Sequence, residues 1–280
     1  MTAEIPATSR AAALTATGEA LRVLDVEIPA VIERDALLVR MTAATLCGTD
    51  VHVADGSAGD VGGALPLILG HEMVGRIAAF GDGPRTDSLG QPLAEGDRVV
   101  WTHGMCGRCR ACVIDGEPSL CENRRRYMTE SAHTYPFLHG GFSEYGYVYP
   151  TVGRVRVPDD VPDAVASAAA CSLRTVMHGF ERLGRIAATD TVVVQGAGPV
   201  GLFAVAKAVA EGAGPCAGGP VAGRRSSSDH PRGRPGQQPG RPAHAGHRPV
   251  HAGVLGDGSV DPHHHRPRRG GDHPRDGQAR

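Results

Sequence analysis

The sequence predicts an α/β plus β chain: a mostly antiparallel β domain, the opening strand–turn–helix of an α/β domain, and a tail that does not fold. Three observations lead there. Short alternating segments separated by turn residues fill the first half of the chain. A helical stretch, a continuous apolar strand and a glycine turn then follow one another between Asp163 and Gly201. The composition breaks abruptly at Gly214.

Leu21–Ile28 (LRVLDVEI) and Ala36–Ala44 (ALLVRMTAA) alternate in part and carry β-branched residues, so both are expected to be strands. Met73–Phe80 and Asp97–Trp101 read the same way. Phe142–Tyr149 alternates aromatic and small residues after the Gly140–Gly141 turn. Pro158 and Pro162 bracket a further turn, and Asp163 onward is helical up to Gly184, a C-cap. Thr191–Gln195 (TVVVQ) is a continuous apolar strand of the kind a parallel sheet buries on both faces. Leu202–Glu211 continues as a helix. The division expected is a β domain over 1–160, the start of an α/β domain over 161–213 and a tail over 214–280.

The chain has 280 residues with 29 Lys+Arg against 30 Asp+Glu, but it is two compositions joined. Residues 1–213 carry 18 Lys+Arg and 25 Asp+Glu. The last 67 carry 11 Arg, no Lys and 5 Asp, with 14 Gly, 10 Pro and no Ile, Met, Phe, Tyr or Trp. Such a segment has too little apolar surface to offset the entropy of ordering it, so it is expected to be disordered. One Lys (Lys207) against 28 Arg points to a GC-rich coding sequence, and the tail resembles such a sequence read out of frame from about residue 214. A genuine disordered tail is the alternative. His263–His265 could bind metal and the tail's positive charge could meet nucleic acid, but without an aromatic for stacking no nucleic-acid partner is expected. No apolar run is long enough for a bilayer and no charged–apolar–small leader opens the chain, so no membrane partner is expected, while cysteines that serve as metal ligands fit a reducing cytoplasm.

Cys106, Cys109, Cys112 and Cys121 form C-x2-C-x2-C-x8-C within a polar lobe, 102–125. Four thiolates can close a tetrahedral zinc site, which leaves no position for substrate and is therefore structural. An iron–sulfur cluster also fits the thiolate count, and free or paired cysteines are the bland reading. Cys47 (in LCGTDVH), His71-Glu72 (in GHEMVG) and Cys171 form a second set. One His with two Cys is a catalytic zinc donor set, yet singly each has an ordinary explanation: Cys171 among alanines is a small buried hydrophobe.

Taken in order, LCGTDVH, GHEMVG-x5-G, GDRVV, the four-cysteine lobe, GGFSEY and GAGPVG resemble the zinc-dependent medium-chain alcohol dehydrogenases, over about Leu21 to Gly212. The resemblance implies a GroES-like β catalytic domain followed by a Rossmann dinucleotide-binding domain, incomplete here. It implies two Zn2+ per chain: Cys47, His71 and Cys171, with Glu72 nearby, as the catalytic ligands, and the four-cysteine lobe as the structural site. Thr49 matches the hydroxyl that contacts the substrate oxygen, His52 the histidine that passes the proton towards solvent, and Asp50 the carboxylate that orients His71. The lobe's last spacing is one residue longer than the family's usual pattern. An insertion, DGPRTDSLGQPLAE, follows Gly81, and with TLCGTD and GDRVVW it is most similar to the branch described as phosphonate-associated alcohol dehydrogenases.

Gly196, Gly198 and Gly201, with Pro199 and Val200 between them, form G-x-G-x-x-G directly after TVVVQ and before a helix. In that setting the glycines allow a tight turn, close approach of a pyrophosphate and close helix–strand packing. The next strand, with an acid for the ribose, is not expected after Gly212, so dinucleotide binding by this chain is expected to be weak. The implied reaction is hydride transfer between a small alcohol or carbonyl and NAD or NADP. The alternatives are a non-catalytic zinc-binding fragment and a zinc-free quinone reductase, the latter opposed by both cysteine sets. Family members are often homo-oligomers, which is not expected of this chain.

Overall fold

The structure, a computed structural model, describes residues 4–59, 64–214 and, for the backbone, 216–219. The strands and helices in chain order are β1 (Thr8–Leu14), β2 (Arg22–Glu27), β3 (Leu37–Thr45), α1 (Gly48–Asp55), β4 (Leu67–Ile68), β5 (Glu72–Phe80), β6 (Arg98–Trp101), α2 (Arg110–Val113), β7 (Tyr145–Val148) and β8 (Arg154–Arg156), then α3 (Asp163–Ala168), α4 (Arg174–Leu183), β9 (Val192–Gln195), α5 (Pro199–Ala210) and β10 (Cys216–Gly219). The strands expected at Leu21–Ile28, Ala36–Ala44, Met73–Phe80, Asp97–Trp101 and Phe142–Tyr149 are β2, β3, β5, β6 and β7.

Five strands form one antiparallel sheet in the order β7-β3-β5-β6-β8, and β2-β1-β4 form a second. An isolated bridge, Ala11 to Ser143, ties the two. Residues of both sheets share one core: Leu14, Leu37, Leu38, Leu67, Ile68, Met73, Trp101 and Tyr147 are almost wholly buried. Each such side chain contributes about 1.5–3 kcal/mol of burial. This packing fixes the ends of β3 and β5, from which Cys47 and His71 project.

The insertion after Gly81 is an ordered loop. Asp87, 6% exposed, accepts the N–H groups of Leu89 and Gln91 on Oδ1 and of Arg156 on Oδ2. Burial opposes its ionisation, but these N–H groups and Arg154 outweigh burial and hold its pKa below the ordinary Asp value. Its stabilisation is therefore complete above about pH 4 and is lost as pH falls through the lower folded value. Asp87→Ala should cost about 2–4 kcal/mol at neutral pH. Urea denaturation across pH should show that gap closing only at the acid end.

Beyond Val157 the chain changes character. α3 packs on the β sheet through Val74, Val157 and Ala166. Arg98 ties it to β6, with Nη1 2.9 Å from Val161 O and 2.6 Å from Asp163 Oδ1. The single helix expected from Asp163 is interrupted: Ala169–Leu173 is one π-helical turn between α3 and α4. A π turn shifts the side chains that follow it and is often found at functional sites; Cys171 sits in it.

β9 and α5 share a smaller core of Val176, Ile186, Val192, Val194, Ala204 and Ala208. Val193 is 60% exposed, so β9 is covered on one face only among the described residues, against the expectation of burial on both. A second expectation is corrected as well. A strand does follow Gly212: β10 pairs parallel with β9, Cys216 opposite Val192 through Gly219 opposite Gln195. CAGG was overlooked because it offers neither alternation nor β-branched residues, and those four residues are not part of an unfolded tail. The remainder of the tail, 220–280, lies outside the described residues. Among the described residues no helix is long and apolar enough to cross a membrane.

Candidate functional site

Two clusters of donor atoms converge, each with its atoms within 4.8 Å of one another: Cys106, Cys109, Cys112 and Cys121, and Cys47, His71, Glu72 and Cys171. Both match the sets picked out in the sequence.

In the lobe, Cys109 caps α2, which brings Cys112 round to it, Sγ to Sγ 3.5 Å, while Cys109 Sγ is 3.9 Å from Cys121 Sγ. A tetrahedron of ~2.3 Å zinc–sulfur bonds has edges of about 3.8 Å. The thiols are free. The N–H of Cys106 points at Cys121 Sγ and that of Cys109 at Cys106 Sγ, both 3.3 Å. N–H donors of Arg108 and Cys109 pull Cys106 down to about 6, while burial and Cys109 push Cys112 up to about 12. Sulfurs this close cannot all ionise unless a cation joins them, so the donor set fits a dication.

The second cluster draws on three places in the fold. Cys47 caps α1, with its N–H 2.8 Å from Asp50 Oδ2. His71 and Glu72 open β5, and Cys171 hangs from the π turn. Hydrogen bonds from Cys171 and His71 pull Cys47 down to about 3 against burial. Its thiolate in turn pushes Cys171 upward, with burial adding to the effect. Burial lowers His71, but Asp50 and Cys47 outweigh that and raise it to about 9. This too is a set of soft donors that repel one another once ionised, and it fits a dication. Glu72 is 3% exposed; Thr45 Oγ1 donates to its Oε2 at 2.5 Å, and Ser167 Oγ donates to its backbone carbonyl at 2.7 Å.

Asp50, 1% exposed, is expected to orient His71, and the structure gives it a broader task. Oδ1 accepts the N–H of Gly70 at 2.9 Å and Oδ2 that of Cys47, so one carboxylate ties both ligand loops. His71 Nδ1 lies 3.7 Å from Asp50 Oδ1 and 3.3 Å from Met128 Sδ. Asp50→Ala should leave two N–H groups unmet, cost about 2–5 kcal/mol and weaken metal binding about 10–100-fold, read by zinc competition with a chromogenic chelator.

A cavity of about 530 Å3 opens on this cluster, lined in part by Thr49, His71, Cys171, His103 and Met128. Thr49 Oγ1 is 3.9 Å from Cys47 Sγ. His52 lies outside the lining; it is exposed on α1, with Nδ1 2.9 Å from Ser57 Oγ. Sequence reasoning missed His103, whose ring stacks on His71 at 5.8 Å. Its Nδ1 accepts the Tyr127 N–H at 3.2 Å, and burial, with Arg124 next in effect, lowers its pKa to about 3. Its place just after the strand ending at Trp101 was the available signal. Met128, at φ 62°, sits in a loop without periodicity and gave none.

At the glycine turn, Gly196 has φ 116° and Gly198 caps α5, with Pro199 its first residue and Val200 next. A Cβ on Gly201 would lie 2.0 Å from Gly196 O. Gly201→Ala should therefore push α5 off β9 and weaken any dinucleotide binding at least about tenfold, read by NAD(P)H fluorescence titration.

Residues 33–159 match the family described as "Alcohol dehydrogenase GroES-like domain". A 5-exo-hydroxycamphor dehydrogenase of Pseudomonas putida is 39% identical over 177 residues, 63% of this chain and 47% of that one. An alcohol dehydrogenase structure from Thermotoga maritima superposes with a TM-score of 0.69 at 35% identity, covering 75% of this chain and 57% of that one. An NADP-bound structure from Sinorhizobium meliloti, described as a zinc-binding dehydrogenase, gives 0.60 at 28% identity over 75% and 56%. The chain spans about half the length of the curated relatives it matches. Residues 33–159 therefore form an alcohol dehydrogenase GroES-like domain, and in its motifs and fold the chain is similar to the alcohol dehydrogenases.

Proposed function

We propose that the chain is a zinc-dependent dehydrogenase that moves hydride between a small alcohol or carbonyl compound and NAD or NADP. The observation that carries this reading is the convergence of Cys47, His71, Glu72 and Cys171 beside a cavity whose wall includes His71, Cys171 and Thr49. Bound there, zinc supplies the Lewis acidity that brings an alcohol's pKa towards neutrality, and the nicotinamide supplies the hydride acceptor.

The chain's own residues do the rest. Cys47, His71 and Cys171 would hold the ion, His71 through Nε2 because Nδ1 faces Met128 and Asp50. Glu72 stands beside them, held by Thr45. Thr49 Oγ1 would accept the alcohol's proton while releasing its own, and His52, backed by Ser57 and Asp55, would take the released proton on to solvent. His103, kept neutral, stacks on His71 and holds its plane. Gly196, Gly198, Pro199, Val200 and Gly201 would receive the pyrophosphate at the start of α5. The four-cysteine lobe would hold a second, structural zinc. The division into a catalytic part over 1–160 and a cofactor part over 161–213 belongs to this reading, as does a cytoplasmic location, where thiols stay reduced.

The test is turnover of the zinc-loaded chain with a panel of primary and secondary alcohols and either dinucleotide, followed by NAD(P)H absorbance. No turnover in either direction, with zinc filled and dinucleotide bound, would contradict it. One observation favours a second reading, a zinc-binding fragment without cofactor: no acidic residue occurs from Cys216 to Ser228, where a ribose-binding acid is needed. Two zinc per chain without dinucleotide binding would decide for it.

A further inference from the structure

The cavity beside Thr49, His71 and Cys171 carries more charge than hydride transfer uses. Arg124, Arg126 and Arg174 all line it, and no acidic side chain is among its lining residues. Two of them come from the loop after Cys121, and the third opens α4. Arg125, between the first two, turns away in the extended manner that alternates side chains. Its Nη1 meets Glu130 Oε1 at 2.9 Å and its guanidinium lies 4.9 Å over the Tyr149 ring.

The three cavity arginines have few hydrogen-bond partners among the described residues. Arg124 gives one hydrogen bond, to Ser119 O at 3.3 Å. The side chains of Arg126 and Arg174 make no hydrogen bond or ion pair to any described residue, and Arg174 Nε is buried without an acceptor. Burial, then Arg126 and Arg174, lower the pKa of Arg124, so the guanidiniums feel one another. A dication held there by two thiolates and an imidazole would be neutral overall and would leave these cations without a full counter-charge. Arg124 and Arg174 are half-buried and Arg126 is exposed, so a buried Nε without an acceptor and two neighbouring guanidiniums at one cavity offer an anion a charged site.

We propose that Arg124, Arg126 and Arg174 bind an anionic group on the substrate, so that the compound oxidised or reduced carries a carboxylate or phosphate at the end away from its reacting carbon. The inference rests on the dehydrogenase reading and narrows its substrate class. A cavity of about 530 Å3 holds a small hydroxy acid, with its hydroxyl at Thr49 and its anion in the guanidinium cluster. The pyrophosphate of a dinucleotide offers the same chemistry. It is the weaker match, because no residue of the Gly196–Gly201 turn lines the cavity, while Tyr127 and Met128, next to Arg126, do.

The test is calorimetric binding to the zinc-loaded full chain of 4-hydroxybutyrate, of its neutral counterpart butane-1,4-diol, and of inorganic pyrophosphate. The acid should bind at least about tenfold tighter than the diol, and an Arg126→Gln/Arg174→Gln variant with unchanged zinc content should lose that preference. Equal binding of acid and diol by the wild type overturns the proposal and favours an uncharged substrate, such as the name of the hydroxycamphor relative describes. A variant that loses pyrophosphate but keeps its preference for the acid overturns it too, and gives the arginines to the cofactor. Should the variant unfold, the wild-type comparison of acid with diol still decides. If the acid is preferred although no zinc is held at Cys47, His71 and Cys171, the anion site stands and the dehydrogenase reading falls.

Discussion

Replacing Cys171 by Ser should remove one zinc per chain and lower any hydride transfer by about 10^3-fold or more, while the β domain keeps its fold. The expectation follows from where Cys171 sits. It lies in the π turn between α3 and α4, outside the β core, and its sulfur closes a set whose other members project from the ends of β3 and β5. Two protein donors and Glu72 would remain, too few for tight zinc binding, and loss of the Lewis acid forfeits several kcal/mol of barrier lowering. A melting temperature within a few degrees of wild type, with metal content reduced by one, is the expected pair of results. Retained metal with full turnover would show that Cys171 is no ligand.

The second large effect lies in the lobe. Cys112→Ser should cost the other zinc and several kcal/mol of stability, because the lobe has little else to hold it. α2 is a single turn without a buried residue, and Val113, Ile114 and Leu120 are exposed. Metal binding here would substitute for a core, and structural zinc contributes about 10–16 kcal/mol of apparent binding in small domains. Limited proteolysis should cut the variant within 102–125 far faster than the wild type. Equal protection of both proteins would mean that the lobe needs no metal.

The two substitutions fail differently because the sites are built differently, and the same contrast sets what the sequence could reveal. The lobe is local: four cysteines within sixteen residues state their geometry through spacing alone. The second set is not local. Nothing in the spacing of Cys47, His71 and Cys171 brings them together; that takes the β3–β5 pairing and the Ser167 bonds to Thr45 N–H and Glu72 O that seat α3. Resemblance to a family supplied the grouping. Strands with alternating β-branched residues were legible, whereas CAGG in β10 was not, since its pairing is imposed by β9. The π turn was hidden for a related reason: its residues, AACSL, are as compatible with an α-helix, and tertiary packing decides. Arg124 and Arg126 escaped notice because a loop has no period to read, and Arg174 because nothing in the start of α4 sets it apart from an ordinary helical arginine.

The dehydrogenase reading requires two metal ions held by different donor sets. The most direct measurement is zinc per chain by mass spectrometry of metals on the purified full-length protein, repeated on Cys171→Ser and Cys112→Ser. Two ions in the wild type and one in each variant are expected, with X-ray absorption of Cys171→Ser showing only sulfur neighbours. Fewer than two ions in the wild type, or a count that either substitution leaves unchanged, would contradict the account.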